Sequence, residues 1–252
     1  MKPKLLAFAA AAAALLGLAA TAQAGAPART PNGKGFVVLQ FKVFPPRAGA
    51  GVATEFDTFA GNDVDGQPPA TNDQTRTIAI RLARGSKVNS SAFATCTVAN
   101  AQQNRCSRAS QVGTGTATAD ARPAIATPVQ ARVTAFNGKT TAGRPAVLLR
   151  AVANINGSQV PLVIVAQLGP AGSGFGPSFV VDNGPLTPGQ NPTYNIRQLH
   201  LNLPDKVVRV RRRLVHFLVA PPTCRGSWLY EQVNTSYGGA RLIATDRVPC
   251  VR

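Results

Sequence analysis

Four of the ten acids in the 252-residue chain, Glu55, Asp57, Asp63 and Asp65, crowd into one short stretch, the densest group of side chains able to do chemistry. Paired carboxylates are the working groups of most glycosidases. Nothing in the spacing sets two of these acids at the separation such an enzyme needs, and Asp182, Asp205, Glu231 and Asp246 are scattered. Gly61-Asn62-Asp63-Val64-Asp65-Gly66 has the alternating oxygen side chains and closing glycine of a calcium loop. Its first position would be Gly61 and its twelfth Asn72, so the leading carboxylate and the bidentate acid are both missing. Asp63 and Asp65 therefore read as an Asx turn rather than a calcium site. His200 and His216 are the only side chains suited to act as a base near neutral pH. Both lie in strand-like runs, Leu199-His200-Leu201 and Val215-His216-Phe217, where a histidine is ordinarily packed or half-exposed. No Gly-x-Ser-x-Gly elbow is present. The residues assign no catalytic group, no metal site and no cofactor.

The clearest asymmetry of charge is Val207-Val208-Arg209-Val210-Arg211-Arg212-Arg213-Leu214-Val215-His216-Phe217. As one strand it would put Arg209, Arg211 and Arg213 on one face, with Val208, Val210, Leu214 and Leu218 on the other. Residues two apart along a strand are roughly 6.5 to 7 Å apart, a stride comparable with the repeat of an anionic polymer. Arginine suits such a partner through its planar fork. The plainer expectation is a solvated strand face, or an edge blunted by charge. With aromatics at only 6%, the interleaved stacking platform of a single-strand nucleic-acid reader is absent. The partner class expected is an anionic polysaccharide of the cell envelope, not nucleic acid.

Cys96, Cys106, Cys224 and Cys250 are even in number, and local pairing, Cys96 with Cys106 and Cys224 with Cys250, encloses a turn-like segment each time. On loop entropy alone these bonds would contribute about 3 and about 3.5 kcal/mol. Neither gap matches a usual zinc spacing. Directly after the first pair, Val112, Thr114, Thr116 and Thr118 alternate with Gly113, Gly115, Ala117 and Ala119, a strand with almost no side chain on one face that can approach another layer closely.

The run Phe93-Ala94-Thr95-Cys96, followed by Cys106-Ser107-Arg108-Ala109-Ser110-Gln111-Val112-Gly113-Thr114-Gly115-Thr116-Ala117, resembles a group of uncharacterised exported proteins of high-GC Gram-positive bacteria. In these a cysteine pair precedes a Ser-x-Val-Gly-x-Gly-x-Ala strand. Phe136-Asn137-Gly138-Lys139, Cys224-x-x-x-Trp228 and the C-terminal cysteine are similar to later landmarks of the same group. The resemblance implies a secreted β-rich fold and supplies no functional residue.

The elements that would position these groups are strands. Lys2 and Lys4 precede an apolar run from Leu5 to Ala20, and Ala22-Gln23-Ala24 has the small residues of a cleavage site, so residues 1–24 are expected to be a secretory signal peptide. Removing them takes two lysines and no acid from 27 basic and 10 acidic residues, leaving 25 minus 10, or +15. Such a field favours polyanions. No later run reaches the roughly 18 apolar residues of a membrane-spanning helix. Residues 25–33 are expected to be a flexible N-terminus and 34–252 one domain. With 23 Gly and 20 Pro, long helices are disfavoured. Period-two or β-branched runs are expected at 36–43, 75–83, 112–119, 129–136, 146–153, 160–168, 178–181, 194–203, 207–219, 228–233 and 241–248. Asn137-Gly138 and Asn156-Gly157 suit tight hairpin turns, and 45–72 and 169–192 read as long loops. Together these predict an all-β, disulfide-stabilised, single-domain β-sandwich, Ig-like or jelly-roll-like. Its expected role is a secreted, non-enzymatic binding or structural protein of the envelope. A secreted hydrolase acting on polysaccharide is the alternative.

Overall fold

The computed structural model describes residues 27–29, 35–62, 74–120, 128–170, 172, 174–183 and 195–252. The expected signal peptide and the expected Asx turn at Asp63 and Asp65 lie outside them. In chain order the strands are β1 (Ala28–Arg29), β2 (Gly35–Phe44), β3 (Ala53–Asn62), β4 (Thr75–Ala83), β5 (Lys87–Val88), β6 (Gln111–Asp120), β7 (Val129–Lys139) and β8 (Pro145–Ile155). They continue with β9 (Ser158–Pro170), β10 (Phe175–Asp182), β11 (Asn195–Leu203), β12 (Val207–Val210), β13 (Arg213–His216), β14 (Leu218–Val219), β15 (Ser227–Ser236) and β16 (Arg241–Pro249). One short helix, α1 (Val98–Gln102), starts at Thr97, whose side chain accepts from the Asn100 amide.

The all-β expectation holds, but the strands form one 12-stranded sheet in the order β1-β2-β3-β11-β6-β7-β8-β9-β10-β4-β15-β16 rather than the two sheets of a sandwich. The sheet curls until its ends meet. Asp246 on β16, only 2% exposed, accepts a 2.6 Å hydrogen bond from the Phe41 amide on β2 through Oδ2. Phe41 also stacks on Tyr230 of β15 at 4.0 Å between ring centres. Val251 then hydrogen-bonds across to the chain after β2, donating to the Pro46 carbonyl at 2.7 Å and accepting from the Ala48 amide at 3.0 Å. Alternation along β2 contributes to this: Val37, Leu39, Phe41 and Val43 are buried while Lys42 is exposed. Trp228 is buried in the same core, with Nε1 donating to the Thr223 carbonyl at 2.9 Å. The interior holds a small apolar cavity of about 60 Å³ among residues such as Phe56, Leu149, Ile164 and Leu199.

Both expected disulfides are present, Cys96–Cys106 and Cys224–Cys250. The first ties down a loop that packs, with α1, on the outer face of the sheet: Cys96 and Ala101 form a second apolar cluster with Phe136, Ala146 and Leu148. Asn137-Gly138 is therefore no hairpin turn. It lies inside β7, where Asn137 Nδ2 donates to the Ser90, Phe93 and Ala94 carbonyls at 3.0, 3.3 and 3.0 Å. A Cβ on Gly138 would press on the Cys96 carbonyl and Leu148. Asn156-Gly157, by contrast, is the predicted turn: both residues have positive φ and Ile155 pairs with Ser158.

Three other expectations are corrected. The segment read as a loop from 45 to 72 contains β3, a full strand between β2 and β11. Within the stretch read as a flexible N-terminus, Ala28 and Arg29 pair with Val37 and Phe36. The run 207–219 is not one strand but a hairpin, β12 against β13, followed by the short β14, which pairs with β5.

Candidate functional site

Because β3 is a strand, Glu55 and Asp57 stand two residues apart on its outer face, with Thr54, Phe56 and Thr58 buried between and beside them. The strand order places β11 next to β3, and the register puts His200 directly opposite Asp57. His200 Nδ1 is 2.7 Å from Asp57 Oδ1, and Nε2 is 3.7 Å from Glu55 Oε1. Lys42, opposite Glu55 on β2, binds the other oxygen of that carboxylate, Oε2, at 3.3 Å. Among the described residues this is the one group of three or more His, Cys, Asp or Glu side chains whose ligand atoms come together, all within 4.8 Å of one another.

The same ladder row runs on as His200, Thr116, Arg132 and Val152 across β11, β6, β7 and β8. A Cβ on Gly115 would overlap the His200 carbonyl, but that carbonyl belongs to β11, the paired neighbour in the same sheet, so the close approach is made within the sheet and not to another layer. Beyond Thr116 the outer face is concave, a groove of about 700 Å³ lined by Thr118, Gln130, Arg132, Thr134, Arg150, Gln159 and Gln198 among others. This size falls in the range of about 300 to 1,000 Å³ usual for small-molecule sites, whereas the interior cavity is far below it. The groove offers amide, hydroxyl and guanidinium groups, and the Arg150 Nε is buried without a hydrogen-bond partner.

The arginines expected to form a row sit instead around a hairpin tip. Val210 pairs with Arg213 across a two-residue turn, and Arg211 and Arg212 occupy that turn with φ of 45° and 66°. Arg209, Arg211, Arg212 and Arg213 are all exposed, beside Val210 and Leu214, the latter 63% exposed. None of the four forms an ion pair with a described acid. Both central residues of a tight turn of this hand need positive φ, which glycine and asparagine supply at little cost and arginine does not. The root of the hairpin is held firmly. Lys206 Nζ donates to the carbonyls of Arg108, Ala109 and Gln111, and burial lowers its pKa. Phe217 packs edge-on against Phe93 at 5.4 Å, and Val208 and Val215 pack against the core.

His216 forms a second pair with an acid, its Nδ1 lying 2.8 Å from Asp205 Oδ1. Gly51 leaves the space in which that imidazole lies. Both histidines are half-exposed, as expected of strand histidines, yet both have aspartate partners that the sequence did not announce. Of the scattered acids, Glu231 binds Arg81 at 2.5 Å and Asp246 closes the sheet. Missed altogether were the groove arginines Arg132 and Arg150, which alternate with apolar residues on ordinary-looking strands. No protein-family model, curated protein or solved structure matches the chain.

Proposed function

We propose that this is an exported, non-enzymatic binding protein of the cell envelope that holds anionic polymers on its arginine hairpin. The observation that carries the reading is the turn itself: Arg211 and Arg212 stand in left-handed backbone, with exposed Arg209 before them and exposed Arg213 after. A position that disfavours arginine, filled twice by arginine, points to charge serving something other than stability. The basic leader, the two disulfides, the net charge and the resemblance to exported β-rich proteins support the same reading.

The test is binding of a phosphate or uronic-acid polymer as salt is raised. Attachment through counterion release weakens steeply between roughly 50 and 200 mM salt. Replacing Arg209, Arg211 and Arg213 by glutamine should weaken binding and flatten the logarithmic salt slope by about 2 to 3. Equal binding by the triple variant refutes the assignment. A second reading, a secreted hydrolase acting on polysaccharide, draws on the Asp57–His200 pair at the edge of the groove, since an aspartate on Nδ1 is how a histidine base is oriented. Cleavage of an envelope polysaccharide by the parent and not by a His200→Gln variant would favour it.

A further inference from the structure

The two ring nitrogens of His200 face two different carboxylates, and only one of these meetings is a hydrogen bond. At 2.7 Å, Nδ1 donates its proton to Asp57 Oδ1. In the neutral ring that bond leaves a lone pair on Nε2, and Glu55 Oε1 lies 3.7 Å from it. Two acceptors then confront each other, and a cation between them resolves the conflict.

We propose that Glu55 and His200 bind a borderline transition-metal dication of the Zn²⁺ type, with Asp57 as the carboxylate that orients the imidazole. The spacing fits. Zinc bonds of about 2.0 to 2.2 Å to nitrogen and oxygen at a tetrahedral angle put those two ligands about 3.4 Å apart, within a few tenths of an ångström of the distance seen. A metal-bound histidine almost always gives its other N–H to a carboxylate or carbonyl, as Nδ1 does here. The nitrogen ligand selects against Ca²⁺ and Mg²⁺, which prefer an all-oxygen shell. The side chains of His200, Glu55 and Asp57 are 32%, 30% and 17% exposed, so an ion can enter from solution. All four cysteines are in disulfides, which removes the thiolates that would otherwise compete. Lys42 engages the other oxygen of Glu55, leaving Oε1 to the metal. The partial exposure of these side chains lets water complete the shell, and Thr116, opposite His200 in the ladder, also lines the groove.

The test is calorimetric titration of the chelator-treated, disulfide-intact protein with zinc chloride, and with calcium chloride as a control. One zinc should bind per chain and calcium should not compete. His200→Gln should abolish binding, and Asp57→Asn should weaken it by about 10- to 100-fold. Asp205→Asn, at the other histidine pair, should leave it unchanged. In the unsubstituted protein, nitrogen spectra of the two imidazoles should show zinc moving the Nε2 resonance of His200 while its Nδ1 stays protonated; this measurement stands even if a variant fails to fold. The proposal is overturned if zinc does not bind, if His200→Gln binds as well as the parent, or if His200 Nε2 carries a proton that zinc does not displace.

Discussion

Removing the side-chain amide of Asn137 should detach the first disulfide loop from the sheet. The residue is fully buried, and its Nδ2 holds the Ser90 and Ala94 carbonyls at 3.0 Å and the Phe93 carbonyl at 3.3 Å. Two N–H groups serve these three acceptors, so one is shared. An alanine would forfeit two neutral hydrogen bonds, at about 1 kcal/mol each, and would leave partly buried carbonyls short of partners, at about 1 to 3 kcal/mol for any that water does not reach. The total expected for Asn137→Ala is about 2 to 4 kcal/mol. Asn137→Asp is nearly isosteric but turns the donor into an acceptor facing three carbonyls, and at neutral pH it buries an unpaired charge. It should be worse than alanine at pH 7, and the gap should narrow as pH falls toward about 4, because burial raises the folded-state pKa of an unpaired carboxyl and the protonated group can donate again. Urea denaturation of the disulfide-intact protein measures the total, and hydrogen exchange of residues 90–106 shows whether the loss begins there. The reasoning fails if Asn137→Ala lies within about 0.5 kcal/mol of the parent, or if the aspartate variant is no worse than alanine at pH 7.

Arg211→Asn combined with Arg212→Gly should raise stability by about 1 to 2 kcal/mol by relieving two left-handed arginines, while weakening binding to anionic polymers; a denaturant midpoint that falls would show that these arginines make stabilising contacts. Trp228→Ala should cost about 3 to 5 kcal/mol, and native emission from this single tryptophan should be blue and shift red on unfolding. Emission like that of tryptophan in water would refute its burial. Burial holds the Tyr230 phenol well above its ordinary range, so the folded protein keeps a proton there that the unfolded chain releases above about pH 10. Stability should accordingly fall as pH rises past that point, and Tyr230→Phe should flatten the decline.

How far each feature could be foreseen depends on how local its cause is. The strand run 75–83 appears with the expected bounds because β-branched and alternating residues report their own exposure. Both disulfides close short loops, so the nearest pairing is also the one formed. Two identical Asn-Gly dipeptides met opposite fates. Asn156-Gly157 turns because its neighbours pair with each other, whereas Asn137-Gly138 stays extended because the cysteine loop docks on it. β3 was hidden because it places threonines inward at 54 and 58 and acids outward at 55 and 57, which blurs the contrast on which period-two reading depends.

The amino-acid sequence alone determined the β-rich class, most strand positions, the disulfides and the basic character, all properties of near neighbours or of composition. The tertiary structure decided that one sheet curls until its ends meet, that Arg211 and Arg212 form a turn, and that Asp57 meets His200 across 143 positions of chain. Strand order and register minimise the free energy of the whole sheet, through core burial and the pairing of every backbone group. A short stretch of sequence carries its own preference for strand but not the identity of the strand beside it.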